Sequence, residues 1–162
     1  MNGQGRVVSR DEAAREALAL RQAGRVVVLT NGHFDLLHIG HARYLRQARD
    51  LGDVLFVGVN GDAACARLKG PGRPIVPAAE RAELLTCLRS VDYAVIFEED
   101  TADELLRAIR PRYYVKGGDY SVASLPEATV AAEVGAEVRF LPFERGHSTS
   151  ALIARVLSRC HP

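Results

Sequence analysis

Val26-Val27-Val28-Leu29-Thr30-Asn31-Gly32-His33-Phe34-Asp35-Leu36-Leu37-His38-Ile39-Gly40-His41 runs from an apolar stretch through a turn into a helical pattern. A strand that hands over to a helix N-terminus is a natural anion site. The N–H groups of the first helical turn point outward without partners, and the helix dipole sets partial positive charge beside them. His38 and His41, flanking Ile39-Gly40, add donors for phosphate oxygens. The segment therefore predicts a phosphate-handling centre.

Outward from this junction, short apolar runs alternate with helical stretches, which indicates α/β architecture. A helix over residues 11–23 closes at Gly24 and a strand covers 25–30. A helix from about Gly40 to Leu51 is stopped by Gly52, and Val54–Val59 is a second strand. Gly61–Val76, rich in glycine and proline, predicts a long loop after a short helical turn. Pro77 opens another helix and Tyr93–Phe97 is a third strand. A helix begins at Thr101, Tyr113–Val115 is a fourth strand, a helix lies near Glu127–Val134, Glu137–Leu141 is a fifth strand, and a last helix starts at Ser148. The expectation is a Rossmann-like, doubly wound, five-stranded parallel sheet in a single domain over residues 25–162, with residues 1–24 as a helical extension packed on it. In such sheets ligands bind beyond the carboxyl ends of the strands, where strand order reverses. Thr30–His41, Asn60–Arg73, Lys116–Tyr120 and Gly146–Ser150 all follow strands, so all four should face one mouth.

The bulk composition narrows the partner. With 162 residues, 48% hydrophobic content and a formal net charge of +1, the chain suits one packed domain, and there is no global electrostatic case for nucleic acid or an anionic membrane. No apolar stretch approaches the roughly 20 residues that span a bilayer, and the first residues lack an apolar signal core, so a cytoplasmic location and a small-molecule partner are expected. Cys65, Cys87 and Cys160 form no C-x-x-C pair, which predicts reduced, mostly buried thiols. Of 21 basic residues only Lys69 and Lys116 are lysine. In so arginine-rich a chain, those two positions are candidates for a site needing a compact ammonium rather than a planar fork.

Each candidate has a plainer alternative. His38 and His41 read as phosphate donors, against two surface histidines at a helix end. A three-histidine metal site that includes His33 matches no common zinc spacing, so no fixed protein metal site is expected. Asp35 reads as a structural cap of the turn entering the helix. Thr30 and Asn31 can bond a phosphate or their own backbone. Lys69 and Arg73 sit in a loop that can close over a charged substrate or stay solvated. Arg81 is either a substrate contact or half of an ion pair. In Lys116-Gly117-Gly118-Asp119-Tyr120 the glycines let backbone approach a ligand. Ser148 and Thr149 can cap the last helix and bind phosphate at once.

Asn31-Gly32-His33-Phe34-Asp35-Leu36-Leu37-His38-Ile39-Gly40-His41 resembles the H-x-G-H motif of the nucleotidyltransferase superfamily. With R-L-K-G, the Glu80-Arg81 pair, V-D-Y-A-V-I-F-E-E-D-T, V-K-G-G-D-Y and G-x-S-T-S in order, nearly the whole chain is similar to bacterial heptose 1-phosphate adenylyltransferases. The resemblance implies transfer of AMP from ATP to a sugar 1-phosphate, D-glycero-β-D-manno-heptose 1-phosphate, giving ADP-heptose and pyrophosphate, with Mg²⁺ accompanying ATP. It implies catalytic roles for His38, His41 and Lys69, and nucleotide binding by Thr30, Asn31, Gly32, Phe34, Gly40, Lys116, Gly117, Ser148 and Thr149. Sugar-phosphate binding would fall to Arg73, Arg81, Asp119 and Tyr120. It further implies a homodimer or higher assembly, and a unit that in many relatives is fused to a sugar kinase domain and here would be expected to stand alone. His33 departs from the pattern, since many relatives carry cysteine there; it either packs near the phosphates or tunes His38. The nearest rival is a cytidylyltransferase acting on glycerol 3-phosphate or another polyol phosphate. Such relatives carry R-T-E-G-I-S-T where this chain reads Phe143-Glu144-Arg145 before Gly146. A nucleotide-binding module without chemistry is the alternative from another class, and retention of both histidines and both lysines argues against it.

Overall fold

The computed structural model describes residues 5–118, 121–142 and 146–160. Its elements in chain order are β1 (Arg6–Val7), α1 (Arg10–Gln22), β2 (Val27–Gly32), α2 (Ile39–Arg49), β3 (Val54–Asn60), α3 (Asp62–Lys69), α4 (Ala78–Thr86), β4 (Tyr93–Phe97), α5 (Asp103–Ile109), β5 (Tyr113–Gly117), α6 (Ala128–Glu133), β6 (Glu137–Leu141) and α7 (Thr149–Cys160). All six strands run parallel, in the order β1-β4-β3-β2-β5-β6. The expected strands are present and one is added. β1, two residues long, pairs Arg6 with Tyr93 at the sheet edge and is too short to leave a periodic signal.

The continuous apolar runs of β2 and β3 follow from cover on both faces. Val27, Leu29, Phe56 and Phe97 point into one core layer with α1, α5 and α6, whereas Val28, Leu55, Val57 and Val59 point into the other with α2 and α4. Each fully buried aliphatic or aromatic side chain contributes about 1.5–3 kcal/mol. Gly58 matters to the first layer: a Cβ there would stand 2.6 Å from Leu105 Cδ2, so its absence lets α5 lie close on the sheet.

Three expectations need correction. The stretch after β3 is a two-turn helix rather than mostly loop, because Ala63, Ala64 and Ala66 favour helix; Lys69 is its last residue and the loop shrinks to residues 70–77. Of the thiols only Cys65 is buried, while Cys87 and Cys160 are exposed on the outward sides of their segments. Asp35 does not cap α2. It is 3% exposed and accepts from the N–H groups of Ile75 (2.8 Å) and Val76 (2.9 Å) and from Arg73, so it anchors the distant 70–77 strap. Among the described residues, no helix is long and apolar enough to cross a membrane.

The chain leaves the centre of the sheet at β2, winds out through β3 to β4, then returns to place β5 on the other side of β2. Strand order reverses there, opening a crevice beyond the carboxyl ends of β2 and β5.

Candidate active site

A cleft of about 770 Å³ occupies that crevice. Its floor is the β2–α2 turn and the end of β5, the Lys69–Arg73 strap overhangs one side, and the start of α7 closes the other. His38 is the N-cap residue of α2, extended and making no side-chain cap bond, so the first-turn N–H groups of α2 keep their capacity for an anion. The His38 and His41 rings stack at 3.8 Å between centroids, tilted by 21°. His41 meets the edge of Phe34 at 5.3 Å, and Phe34 holds a left-handed backbone (φ 49°) that is unusual for an aromatic residue. Gly40 is required by the same packing, since a Cβ would stand 3.0 Å from His38 Nδ1 and 3.1 Å from His147 Cβ.

Burial favours the neutral form of these imidazoles. Burial pushes His41 down to about 4, with the neighbouring His38 adding to it. Burial, then the charges of Lys69, Arg81 and Arg73, push His33 down to about 4. Burial and His147 lower His38. The Nδ1 atoms of His33, His38 and His41 are all buried without a hydrogen-bond partner among the described residues. The floor thus carries imidazole nitrogens without protein partners rather than fixed cations.

Positive charge comes from the sides. Lys116 donates to Asn31 Oδ1 at 3.2 Å and stands 3.8 Å from Glu127 Oε1; burial lowers its ammonium while Glu127 opposes the change. Lys69 lines the cleft from the end of α3 and makes no hydrogen bond or ion pair among the described residues. Arg73 also lines it, with its Nε given to Asp35. Burial works against the Asp35 carboxylate, but the Val76 N–H, Arg73 and the Ile75 N–H outweigh it and hold that carboxyl below its ordinary range. On the opposite side, Ser148 Oγ accepts from the Ala151 N–H at 3.1 Å, which leaves its own O–H to donate, and Thr149 opens α7 beside it.

The structure brings His38, His41, Lys69, Asn31, Gly32, Phe34, Gly40, Lys116, Gly117, Ser148, Thr149 and Arg73 around one cleft, together with His33. Two expected residues are not open to it. Thr30 is fully buried, its hydroxyl donating to the Val115 carbonyl at 2.9 Å and lying 2.7 Å from the Tyr44 hydroxyl. Arg81, also fully buried, gives its guanidinium to the carbonyls of Val76 (2.8 Å) and His33 and to Asp62 (2.7 Å). It braces the strap against the motif turn and touches no open space. Asp119 and Tyr120 lie outside the described residues. Sequence reasoning passed over Tyr44, Glu127 and His147, all of which line the cleft. His147 adjoined a segment already singled out; Glu127 looked like an ordinary helix start.

A family model described as cytidylyltransferase-like matches residues 29–155, which spans every part of this cleft. The chain belongs to the cytidylyltransferase-like family. Relatives include the bifunctional protein HldE of a Nitratiruptor species, 50% identical over 86% of this chain and 29% of that protein. The bifunctional protein HldE of Helicobacter pylori is 50% identical over 83% of this chain and 28% of that protein. The chain thus spans under a third of the length of these relatives. A crystal structure of the lipopolysaccharide core biosynthesis protein from Thermoplasma volcanium superposes with a TM-score of 0.61 at 28% identity, over 76% of this chain and all of that one. Membership in the cytidylyltransferase-like family accords with the H-x-G-H resemblance.

Proposed function

We propose that this chain transfers AMP from ATP to a sugar 1-phosphate, D-glycero-β-D-manno-heptose 1-phosphate, releasing pyrophosphate. The observation that carries the proposal is the stacked His38–His41 pair on the N-terminus of α2, facing the same cleft as both lysines of the chain. The acceptor's phosphate oxygen attacks the α-phosphorus, a P–O bond forms, and the bond to the β-phosphate oxygen breaks. Such a step asks the protein for positioning and for charge stabilisation rather than for a covalent intermediate. His38 and His41 donate N–H groups to the α- and β-phosphates. Ser148 and Thr149 hold the outer phosphates, while Lys69 and Arg73 come down from the strap and Lys116 stands at the floor. Identity of about 50% to HldE proteins supports the sugar phosphate as the acceptor.

A divalent metal suits the charge of a triphosphate, and Mg²⁺ supplies neutralisation of the phosphate oxygens when bound. The cleft fits an ion carried on ATP: Asp35 is taken by Arg73 and two N–H groups, Asp100 by Arg67, and Glu127 lies beside Lys116. Among the described residues, no group of three His, Cys, Asp or Glu is placed to hold a metal. A cytoplasmic location and a homo-oligomeric assembly belong to the same reading; Val156 and Leu157, half exposed on α7, suit the latter.

The test is pyrophosphate release with ATP or CTP against heptose 1-phosphate, glycerol 3-phosphate and pantetheine phosphate. Release with ATP and the heptose phosphate is expected. No release with any pair removes the transferase reading, and a preference for CTP removes the adenylyl assignment.

A further inference from the structure

Glu127 is a residue for which the proposed reaction has no direct use. It immediately precedes α6, lines the cleft, and is only 4% exposed. Its Oε1 accepts from the Ala102 N–H at 3.3 Å and lies 3.8 Å from Lys116 Nζ, while Oε2 is buried with no hydrogen-bond partner among the described residues. A buried carboxylate with an unsatisfied oxygen is costly unless its charge has a use. The nearby cation is that use. Lys116 is flanked on β2 by the neutral Asn31 amide, whose Oδ1 also accepts from the Tyr114 hydroxyl at 2.6 Å, and the ammonium lies 5.7 Å from the centre of the Tyr114 ring. Farther out, the Tyr44 hydroxyl of α2 is bonded within Thr30 and Val115, and Asp103 of α5 holds Thr101 at 3.0 Å. Glu127 is thus the only carboxylate paired with Lys116 among the described residues.

We infer that Glu127 is a positioning residue, the counter-charge that holds the Lys116 ammonium charged beside Asn31 so that it meets an incoming phosphate as a cation. The inference deepens the proposed function, because it gives Lys116 its charge at that site. Burial alone disfavours the ammonium, and an opposite charge within about 4–6 Å restores it. Lys69 needs no such partner, since it is exposed at the end of α3. When a triphosphate enters, Lys116 passes from a carboxylate to phosphate oxygens and never faces the buried site uncompensated.

The chain has only two lysines, so selective ¹³C labelling at lysine Cε yields two side-chain signals whose titration is read without any substrate. Glu127→Gln keeps the shape and the acceptor for the Ala102 N–H and removes the charge. It should lower the Lys116 midpoint by about one pH unit or more and leave Lys69 in place. Glu127→Asp, which keeps the charge, should return the midpoint toward wild type. In pyrophosphate release, the alkaline limb of kcat/KM should move down with the same midpoint in Glu127→Gln. An unchanged Lys116 midpoint overturns the inference, as does an alkaline limb that stays put while the midpoint moves. If the wild type releases no pyrophosphate with any substrate pair, the proposed function fails by itself, and the lysine titration still decides the pairing.

Discussion

The floor of the cleft and the strap above it are held in opposite ways. Where the strap is tied to its neighbours the charges have protein partners: Asp35 of the β2–α2 turn takes Arg73 and two strap N–H groups, and Arg81 of α4 takes Asp62 and two carbonyls. In the floor the buried Nδ1 atoms of His33, His38 and His41 and one oxygen of Glu127 have none among the described residues. Buried polar groups are normally satisfied, so the unpartnered imidazole nitrogens are where the proposed phosphate contacts would complete the network. Saturated groups mark scaffold. The contrast separates basic residues that composition treats alike: Arg81, whose guanidinium is wholly engaged, and Lys69, which has no partner among the described residues.

The sharpest way to break the contrast is at the histidines. His38→Ala or His41→Ala should depress kcat by roughly 10²–10³-fold, the usual loss for removing one preorganised donor to a developing charge. The melting temperature should stay near wild type, because the Nδ1 atom of neither ring has a hydrogen-bond partner among the described residues. Unfolding in either variant would place these residues with the scaffold. On the strap the expectation is reversed. Arg81→Met strands two buried carbonyls and should cost about 2–4 kcal/mol, lowering the melting temperature by roughly 5–15 °C in thermal unfolding. Any loss of activity should follow the fraction unfolded. A stable Arg81→Met protein with a selective loss of sugar-phosphate affinity would return Arg81 to the substrate.

Contiguity explains what could be read ahead of the structure. The β2–α2 junction lies within sixteen residues, so its strand run, its turn and both histidines carry one local signal, and the parallel sheet follows from repeated units of the same kind. The scaffold contacts span far longer separations: Arg73 reaches Asp35 across 38 positions, Arg81 reaches His33 across 48, and Lys116 reaches Asn31 across 85. Nothing local distinguishes Arg81, whose guanidinium is wholly buried, from the exposed Arg89 on the same stretch of chain. Thr30 was misplaced for a related reason. A threonine at a strand end can face the ligand or the next strand, and here the Val115 carbonyl and Tyr44, neither near it in sequence, claim the hydroxyl.

Lys69 tests the boundary between the two regions, since it is carried by the strap's helix yet has no protein partner among the described residues. Lys69→Ala should lower kcat/KM for pyrophosphate release by about 10–100-fold, and its stability should lie within about 0.5 kcal/mol of wild type, as for an exposed substitution away from special contacts. Equal kinetics for the two proteins would make Lys69 ordinary surface charge and would leave Arg73 as the strap's only cation over the cleft among the described residues.

Acidification should loosen the floor before the strap. Above its ordinary pKa of 6.5, His41 is neutral in both folded and unfolded chains and costs nothing. As pH falls from there toward the folded value of about 4, the unfolded chain binds a proton that the buried ring refuses, so stability declines through that window. His33 and His38, also lowered mainly by burial, act in the same direction. With these sites partly open to solvent, the loss is on the order of 1 kcal/mol each for His33 and His41. The Asp35 carboxyl is held below its ordinary range, so the Arg73 clamp survives the same acidification and fails only lower. Denaturant unfolding at about pH 7.5 and pH 5 should show the decline in wild type and a smaller one in His41→Asn; equal slopes would mean that His41 is already accessible to protons in the folded chain. Bound triphosphate should reverse the sign, because its charge favours imidazolium: nucleotide binding near pH 5 should take up protons, which calorimetry in two buffers of different ionisation enthalpy measures directly. Proton uptake that persists in the His38→Asn, His41→Asn double variant would assign the proton to another titrating group of the cleft, whereas loss of uptake with binding retained would leave the phosphate on the already protonated Lys69 and Arg73.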